Sequence, residues 1–386
     1  ARIVYVILFS LYFYYKSSGI YFLLLVFASV SDYWIAHAIY KVRTQRAKYW
    51  LVGLSVLVNL GMLGYFKYTN FLIEIANNLF GQGFLNFQNI FLPVGISFFV
   101  FQSMSYTIDI CRGQLKPLNN WADYLFYLSF FPQLVAGPIV RAKDFIPQIR
   151  QNPLRVTREM FGMGVFLILI GLFKKAVISD YISLNFVDRI FDEPLLYSGF
   201  ECLMGIYGYA LQIYCDFSGY SDMAIGIALL LGFRFPKNFD APYKSATITE
   251  FWRRWHISLS TWLRDYLYIS LGGNRKGRIR TYFNLLVTML LGGLWHGAAV
   301  RFILWGALHG IALALHKLWL SVVPGSKATG AEMRWFWRIP GIFFTFNLVC
   351  FGWLMFRAES MKTVQLMLHQ IFTNFNPSVI PHVLEG

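Results

Sequence analysis

The sequence predicts an all-α, polytopic membrane protein, and its composition carries most of that prediction. Of the 386 residues, 57% are apolar and only 14% are charged. An ordinary soluble domain has about 25% charged residues. Apolar segments recur along the whole chain, and several are shorter than a full membrane crossing. We therefore expect about ten to twelve transmembrane or re-entrant helices.

The net charge of +15 raises the question of a nucleic-acid partner. The basic residues, however, lie in short clusters between apolar segments, as in residues 41–48 and 275–280. Cytoplasmic loops of membrane proteins carry such an excess of Lys and Arg, so both clusters are predicted to be cytoplasmic and no nucleic-acid partner is expected. Four scattered cysteines without a CxxC pair or a Cys/His spacing predict structural thiols and no metal site.

The first candidate site is His296, in the uncharged residues 281–300. At about 1.5 Å per residue this segment spans roughly 30 Å, the hydrocarbon thickness of a bilayer. An imidazole there is a functional candidate, although a packed histidine that hydrogen-bonds across helices is an open alternative. Gly292, Gly293 and Gly297 would let a backbone or a substrate approach the imidazole. Freed N–H groups near Gly292 and Gly293 could also serve an oxyanion.

The second candidate is His256, in residues 250–271, which carry too many charges for a helix surrounded by lipid. The helical periodicity predicts one interfacial amphipathic helix, with His256 on its apolar arc and Arg253 and Arg254 on the opposite side. His256 should therefore point into protein or toward the headgroup boundary. A histidine that only completes local packing is the alternative.

A third polar segment, residues 212–222, places Asp216 and Asp222 between two apolar segments. Carboxylates at membrane depth need partners. They could orient an imidazole, pair with an arginine of the amphipathic helix, or cap a helix that begins near Ser221, and capping and ion pairing are favoured. In the apolar segment after residue 300, His309 is a candidate supporting residue.

Five blocks of the sequence, in this order, resemble the membrane-bound O-acyltransferase family. They are PVGISFFVFQSMSYTIDICRG (93–113), LSFFPQLVAGPIVRAKDFIPQI (128–149), QIYCDFSGYSDMAIG (212–226), NFDAPYKSATITEFWRRWHISLSTWLRDYLYISLGGNRKG (238–277) and LLGGLWHGAAVRFILWGALHG (290–310). The long fourth block makes the chain most similar to the alginate O-acetyltransferase branch, which acetylates polysaccharide. The D-alanine-transferring branch shares only the WHG and RWH motifs among these features.

The resemblance implies a helical funnel or tunnel in the inner (plasma) membrane. Residues 1–386 would form a single membrane domain that lacks some residues at both ends relative to the family. The implied donor is an acyl thioester, acetyl-CoA or an acyl carrier, presented on the cytoplasmic side, with no bound cofactor. The acceptor would be an exported polysaccharide or an extracytoplasmic partner acetyltransferase. The family's principal catalytic histidine corresponds to His296 of the WHG motif, and a second required histidine to His256 of the RWH motif.

These roles are chemically reasonable, because an imidazole can remove a hydroxyl proton at neutral pH. We expect His296, beside Trp295, to be the base, and His256 to position the donor or shuttle protons at a different depth, at the cytoplasmic mouth. A coupled pair of histidines at one depth is the alternative. Arg253 and Arg254 would meet donor phosphates or lipid phosphates. Other cell-envelope acyl transfer such as D-alanylation, a polysaccharide channel or transporter, and a scaffold for another acetyltransferase remain alternatives.

Overall fold

The computed structural model describes residues 2–151, 156–323 and 334–379, and within these ranges every regular element is helical. The predicted all-α, polytopic fold class is therefore confirmed. The chain forms two compact units, Ala1–Ile168 with Met223–Pro236, and Leu169–Asp222 with Lys237–Gly386. That the chain is one functional domain stays a prediction.

The first unit is built mainly from the N-terminal helices. They are α1 (Arg2–Ser18), α2 (Phe22–Lys41), α3 (Gln45–Leu63), α4 (Thr69–Phe80), α5 (Ile96–Cys111), α6 (Trp121–Ser129), α7 (Phe131–Leu134) and α8 (Ala142–Ile149). The next long helix, α9 (Arg158–Leu172), contributes residues to both units.

Four buried polar side chains in the first unit are paired with one another. Asp32 of α2 accepts hydrogen bonds from Asn59 of α3, at 2.6 Å, and from Ser103 of α5. The Ser103 hydroxyl also contacts the hydroxyl of Tyr124 in α6 at 2.8 Å. A carboxylate inside an apolar helical segment is stable only with such partners, so this cluster ties four helices together.

The second unit contains the helices that carry the candidate site residues. They are α10 (Asp180–Ile182), α11 (Asp188–Asp192), α12 (Gly199–Leu230), α13 (Ile248–Arg254), α14 (Ile257–Trp262), α15 (Arg278–His296), α16 (Val300–Val322), α17 (Trp335–Arg357) and α18 (Met361–Thr373). The last turns of α12 belong to the first unit. Of the cysteines, Cys202, Cys215 and Cys350 are buried, and all four are free thiols, as the sequence predicts.

Five helical segments in the described part of the chain are long and apolar enough to cross a membrane. They are Ile3–Lys41, Gln45–Phe80, Arg158–Asp192, Val300–Val322 and Trp335–Arg357. The first two, of 39 and 36 residues, are each about twice the length of a single crossing. In the segment Arg158–Asp192, only 11% of the most apolar stretch is buried. Exposed apolar surface of this extent suits contact with lipid, as expected for a membrane protein.

The hairpin of α15 and α16 is packed through glycines. A Cβ on Gly293 of α15 would overlap the carbonyl oxygen of Phe302 and lie 3.2 Å from the Cα of Gly306 in α16. A Cβ on Gly306 would overlap the carbonyl oxygen of Met289. Small residues at such positions allow two helix backbones to touch, so the two helices are held at the shortest possible separation.

Candidate active site

His296 is the last residue of α15, not an interior residue of a longer span. The chain leaves the helix at Gly297, where φ is −164°, and α16 begins at Val300. The helix–turn–helix connection therefore brings the imidazole out at one end of the hairpin. His296 is half-buried, so the imidazole is enclosed by protein on some sides and accessible on others.

Three aromatic rings surround the His296 imidazole. The ring centroids of Trp295, Trp305 and Phe356 lie 4.9, 5.1 and 5.1 Å from it, at interplanar angles of 76°, 84° and 75°. Near-perpendicular ring contacts of this kind are favourable and restrict the ring orientation. Sequence reasoning singled out Trp295 but missed Trp305 and Phe356, since an aromatic residue in an apolar segment gives no signal of its own.

The glycines near His296 serve the protein's own packing. A Cβ at Gly292 would meet the Leu263 side chain at 3.1 Å, and a Cβ at Gly297 would overlap the Phe302 ring. Gly292 and Gly293 also lie inside continuous α-helix, where backbone N–H groups bond to carbonyls of the preceding turn. The expectations that a substrate approaches through these glycines and that their N–H groups bind an oxyanion are therefore wrong. Close approach of another backbone is confirmed.

His256 lies at a break between two short helices. The predicted single amphipathic helix over residues 250–271 is wrong, because α13 ends at Arg254 and α14 begins at Ile257. His256 itself adopts φ of +41°. Such a backbone is uncommon for residues other than glycine, although histidine tolerates it better than most. The expectation that His256 points into protein is confirmed, since the residue is only 1% exposed.

The His256 imidazole has one hydrogen-bonded edge and one free edge. Its Nδ1 lies 3.2 Å from Oδ1 of Asn238 and 3.4 Å from Oγ of Ser258. The Phe217 ring of α12 packs against it with its centroid at 4.6 Å. Nε2 is buried and has no hydrogen-bond partner among the described residues. Sequence reasoning missed Asn238, because nothing in the chain marks it as a neighbour of a residue eighteen positions later.

The structure brings the two histidines into one aromatic cluster. The Trp295 ring contacts both imidazoles, with its centroid 6.3 Å from that of His256. His256 lies between α13 and α14, which are too short to cross a membrane. Burial, and secondarily the charge on His296, hold the pKa of His256 well below its usual range. Whether the two histidines act as a coupled pair or at different depths stays a prediction.

His309 supports the cluster from α16. It is fully buried, and its ring lies 4.7 Å from Trp305 and 5.2 Å from Trp252, centroid to centroid. Trp305 in turn contacts His296. His309 is therefore separated from His296 by the ring of Trp305.

The two adjacent arginines of α13 have different surroundings. Arg254 forms an ion pair with Glu250 at 2.9 Å and donates to the carbonyl oxygen of Asp240 at 3.2 Å. Arg253 is exposed and forms no ion pair with a described residue. Of the two, only Arg253 has a guanidinium available for an anionic ligand, whereas Arg254 anchors the chain next to His256.

Asp216 and Asp222 do not lie between two helices, because α12 runs without interruption through both. The predicted helix cap near Ser221 is therefore wrong. Ion pairing is confirmed, but the partners are lysines of the π-helical turn Phe173–Ser179. Lys174 lies 2.7 Å from Asp222, and Lys175 lies 2.7 Å from Asp216. Both carboxylates are thus already neutralised within the second unit.

These observations define a helical membrane protein with two histidines held in one aromatic cluster, an arrangement suited to proton transfer. The chain belongs to the membrane-bound O-acyltransferase family, whose family model matches residues 111–360. It is 45% identical over 357 residues to the probable alginate O-acetylase AlgI of Pseudomonas aeruginosa, covering 91% of this chain and 66% of that protein.

The names of more distant relatives indicate other acceptors. The peptidoglycan O-acetyltransferase of Helicobacter pylori is 37% identical over 391 residues, covering 94% of this chain and 72% of that protein. The teichoic acid D-alanyltransferase of Streptococcus thermophilus is 31% identical over 337 residues, covering 82% and 77%. The chain spans about two thirds of the length of the alginate O-acetylases that it matches best among these three groups.

Proposed function

We propose that this protein is an acyltransferase of the inner membrane, and that the acyl group is acetyl. The donor is a thioester, acetyl-CoA or an acyl carrier, bound from the cytoplasmic side. The acceptor is a hydroxyl group of an exported polysaccharide, or an extracytoplasmic partner enzyme that passes the acetyl group on. The identity to alginate O-acetylases supports acetyl and polysaccharide over D-alanine and teichoic acid.

The observation that carries the proposal is the position of His296. It is the half-buried imidazole of the pair, it ends α15, and three aromatic rings restrict its orientation. A half-buried base with a restricted orientation fits proton abstraction from a bound hydroxyl group.

The reaction follows from that role. The acceptor oxygen attacks the thioester carbonyl carbon while its proton passes to the His296 imidazole. The tetrahedral intermediate then collapses, so that the C–S bond breaks and the new ester forms. The thiolate leaves and takes the proton back from the imidazolium. His256, buried beside the same tryptophan, stays neutral and accepts a hydrogen bond within the same site, and Arg253 contacts donor phosphates.

The proposal is tested by the His296→Ala variant in cells that make the envelope polymer. His316→Ala is the matched control, because His316 also lies on the hairpin but bonds Thr249 at 2.7 Å and lies outside the aromatic cluster. We expect O-acetyl esters on the polymer to disappear in His296→Ala and to persist in His316→Ala, with equal amounts of both proteins in the membrane.

Other outcomes separate the alternatives. Acetylation above a few per cent in His296→Ala contradicts the assignment of His296 as base. D-alanyl esters in place of acetyl esters indicate the D-alanylating chemistry. Polymer export that stops in the variant without any loss of ester on the polymer indicates a channel or transporter.

A further inference from the structure

Asn238 holds the chain around His256. Its backbone carbonyl accepts a hydrogen bond from the N–H of Ile257 at 2.9 Å. Its side-chain Oδ1 accepts from the N–H of Ser258 at 3.2 Å and from the Ser258 hydroxyl at 2.9 Å. Its Nδ2 donates to Oγ of Ser221 on α12 at 3.1 Å. Asn238 therefore satisfies the first N–H groups of α14, directly after the left-handed residue His256.

The hydrogen bonds also determine which way the amide points. The backbone N–H of Ser258 can only donate, so the Asn238 atom that faces it is the oxygen. The same oxygen lies 3.2 Å from Nδ1 of His256 and can only accept, so Nδ1 carries the hydrogen. The Ser258 hydroxyl gives its own hydrogen to Asn238 and can only accept from the ring.

We propose that Asn238 is a positioning residue that fixes His256 in the Nδ1–H tautomer and so leaves Nε2 as its proton-accepting atom. In a neutral imidazole one nitrogen carries the hydrogen and the other carries the lone pair. Nε2 is buried without a protein partner in the described part of the chain, so this lone pair is directed at no other protein group there. The inference rests on the proposed acyl transfer and identifies the residue that prepares His256 for it.

Few charges act on this imidazole. The titratable group that faces it is His296 on α15. The uncharged Phe217 of α12 packs against the His256 ring. The uncharged Phe239, which lies beside Asn238 in the extended segment before α13, packs against it as well. A new charge at position 238 should therefore act on His256 directly and measurably.

Asn238→Asp keeps the accepting oxygen and adds a negative charge beside the ring. A carboxylate at this distance stabilises the imidazolium, so it should raise the pKa of His256 by about 1 to 3 units. The midpoint of His256 protonation, followed by the ¹⁵N signals of its ring in purified protein, should therefore rise by the same amount in Asn238→Asp. Asn238→Leu removes the acceptor and should lower kcat about tenfold or more, with little change in donor KM.

Asn347→Asp is the matched control. Asn347 of α17 also accepts a hydrogen bond, from the Tyr207 hydroxyl at 2.6 Å, and aspartate retains that role. Its midpoint of His256 protonation should equal that of the unchanged protein. A midpoint of His256 protonation in Asn238→Asp that coincides with that of this control overturns the inference.

A spectroscopic measurement tests the tautomer without relying on activity. Protein with ¹⁵N-labelled histidine rings is purified in detergent, and the His256 signals are assigned by their loss in His256→Ala. We expect Nδ1–H and a bare Nε2 in the unchanged protein, and loss of that pattern in Asn238→Leu. An Nε2–H pattern in the unchanged protein, or an Nδ1–H pattern that persists in Asn238→Leu, overturns the inference. Failure of the proposed function would show in a different variant, as activity retained by His296→Ala.

Discussion

Neutralising Asp222 should destabilise the protein more than neutralising Asp216. Nζ of Lys174 lies 2.7 Å from the Asp222 carboxylate, and the two side chains are 24% and 22% exposed. At this distance and an effective dielectric constant of about 20, the Coulomb attraction is roughly 6 kcal/mol, much of which desolvation offsets. Loss of one partner costs about 3 to 5 kcal/mol in a buried pair and about 0 to 1 in an exposed pair. For this partly exposed pair we expect Asp222→Asn to lower the free energy of unfolding by about 2 kcal/mol.

Asp216 on the same helix provides the control. It is 47% exposed, and its partner Lys175 also contacts Asp180 at 2.7 Å. Asp216→Asn leaves that lysine paired and should cost less than about 1 kcal/mol. The assay is the midpoint of thermal unfolding of each purified variant in one detergent. A Lys174→Gln, Asp222→Asn double variant should lie closer to the unchanged protein than Asp222→Asn does, because no charge is left alone. Equal midpoints for Asp222→Asn and Asp216→Asn would refute the reasoning.

Two further predictions concern α13 and the hairpin. Arg253→Gln should raise the KM for acetyl-CoA about fivefold at unchanged kcat, as loss of one exposed phosphate contact implies, whereas Arg254→Gln should mainly lower the unfolding midpoint. Steady-state kinetics and thermal unfolding on both variants check this, and an unchanged KM in Arg253→Gln would disprove it. Gly293→Ala should cost more than about 2 kcal/mol and reduce the yield of monodisperse protein, because its methyl group meets the Phe302 carbonyl. Gly61→Ala, with no atom within 4 Å of the new methyl, should leave the yield unchanged, and equal yields for the two would contradict the packing argument.

The class of the protein could be predicted from sequence, and His296 could be singled out as a candidate, for physical reasons. A chain with few charged residues and long apolar segments is typical of a membrane protein and of few other classes. A titratable side chain in an uncharged segment of membrane length is conspicuous because its burial is costly. The family resemblance added the expected catalytic roles of His296 and His256.

The break at His256 could not be predicted, because its cause is distant in sequence. Helical periodicity continues through Trp255, His256 and Ile257, and no glycine or proline interrupts it. The left-handed conformation is held by hydrogen bonds that Asn238 accepts from residues about eighteen positions later, which is a tertiary contact. Propensity and periodicity describe only local preferences, and here a tertiary contact overrides them.

The polar residues of α12 misled sequence reasoning for a related reason. Asp216 and Asp222 within six positions suggested a helix start near Ser221, since carboxylates often cap helix starts. The helix continues because Lys174 and Lys175, on another helical turn, compensate both charges. A charge that is neutralised by a neighbouring element does not interrupt its own helix, and composition alone cannot identify that neighbour.

The glycine contacts between α15 and α16 determine how this protein tolerates change. Side chains between two helices can adopt new rotamers and so absorb a substitution, but a carbonyl oxygen resting on a glycine Cα has no such freedom. His296 at the end of one helix and Trp305 on the other therefore keep a fixed spacing whatever happens to the lipid-facing residues of the hairpin. Substitutions on that outer surface should therefore have little effect on the site. Residues around the imidazole can be varied to accept new hydroxyl substrates without moving the imidazole itself.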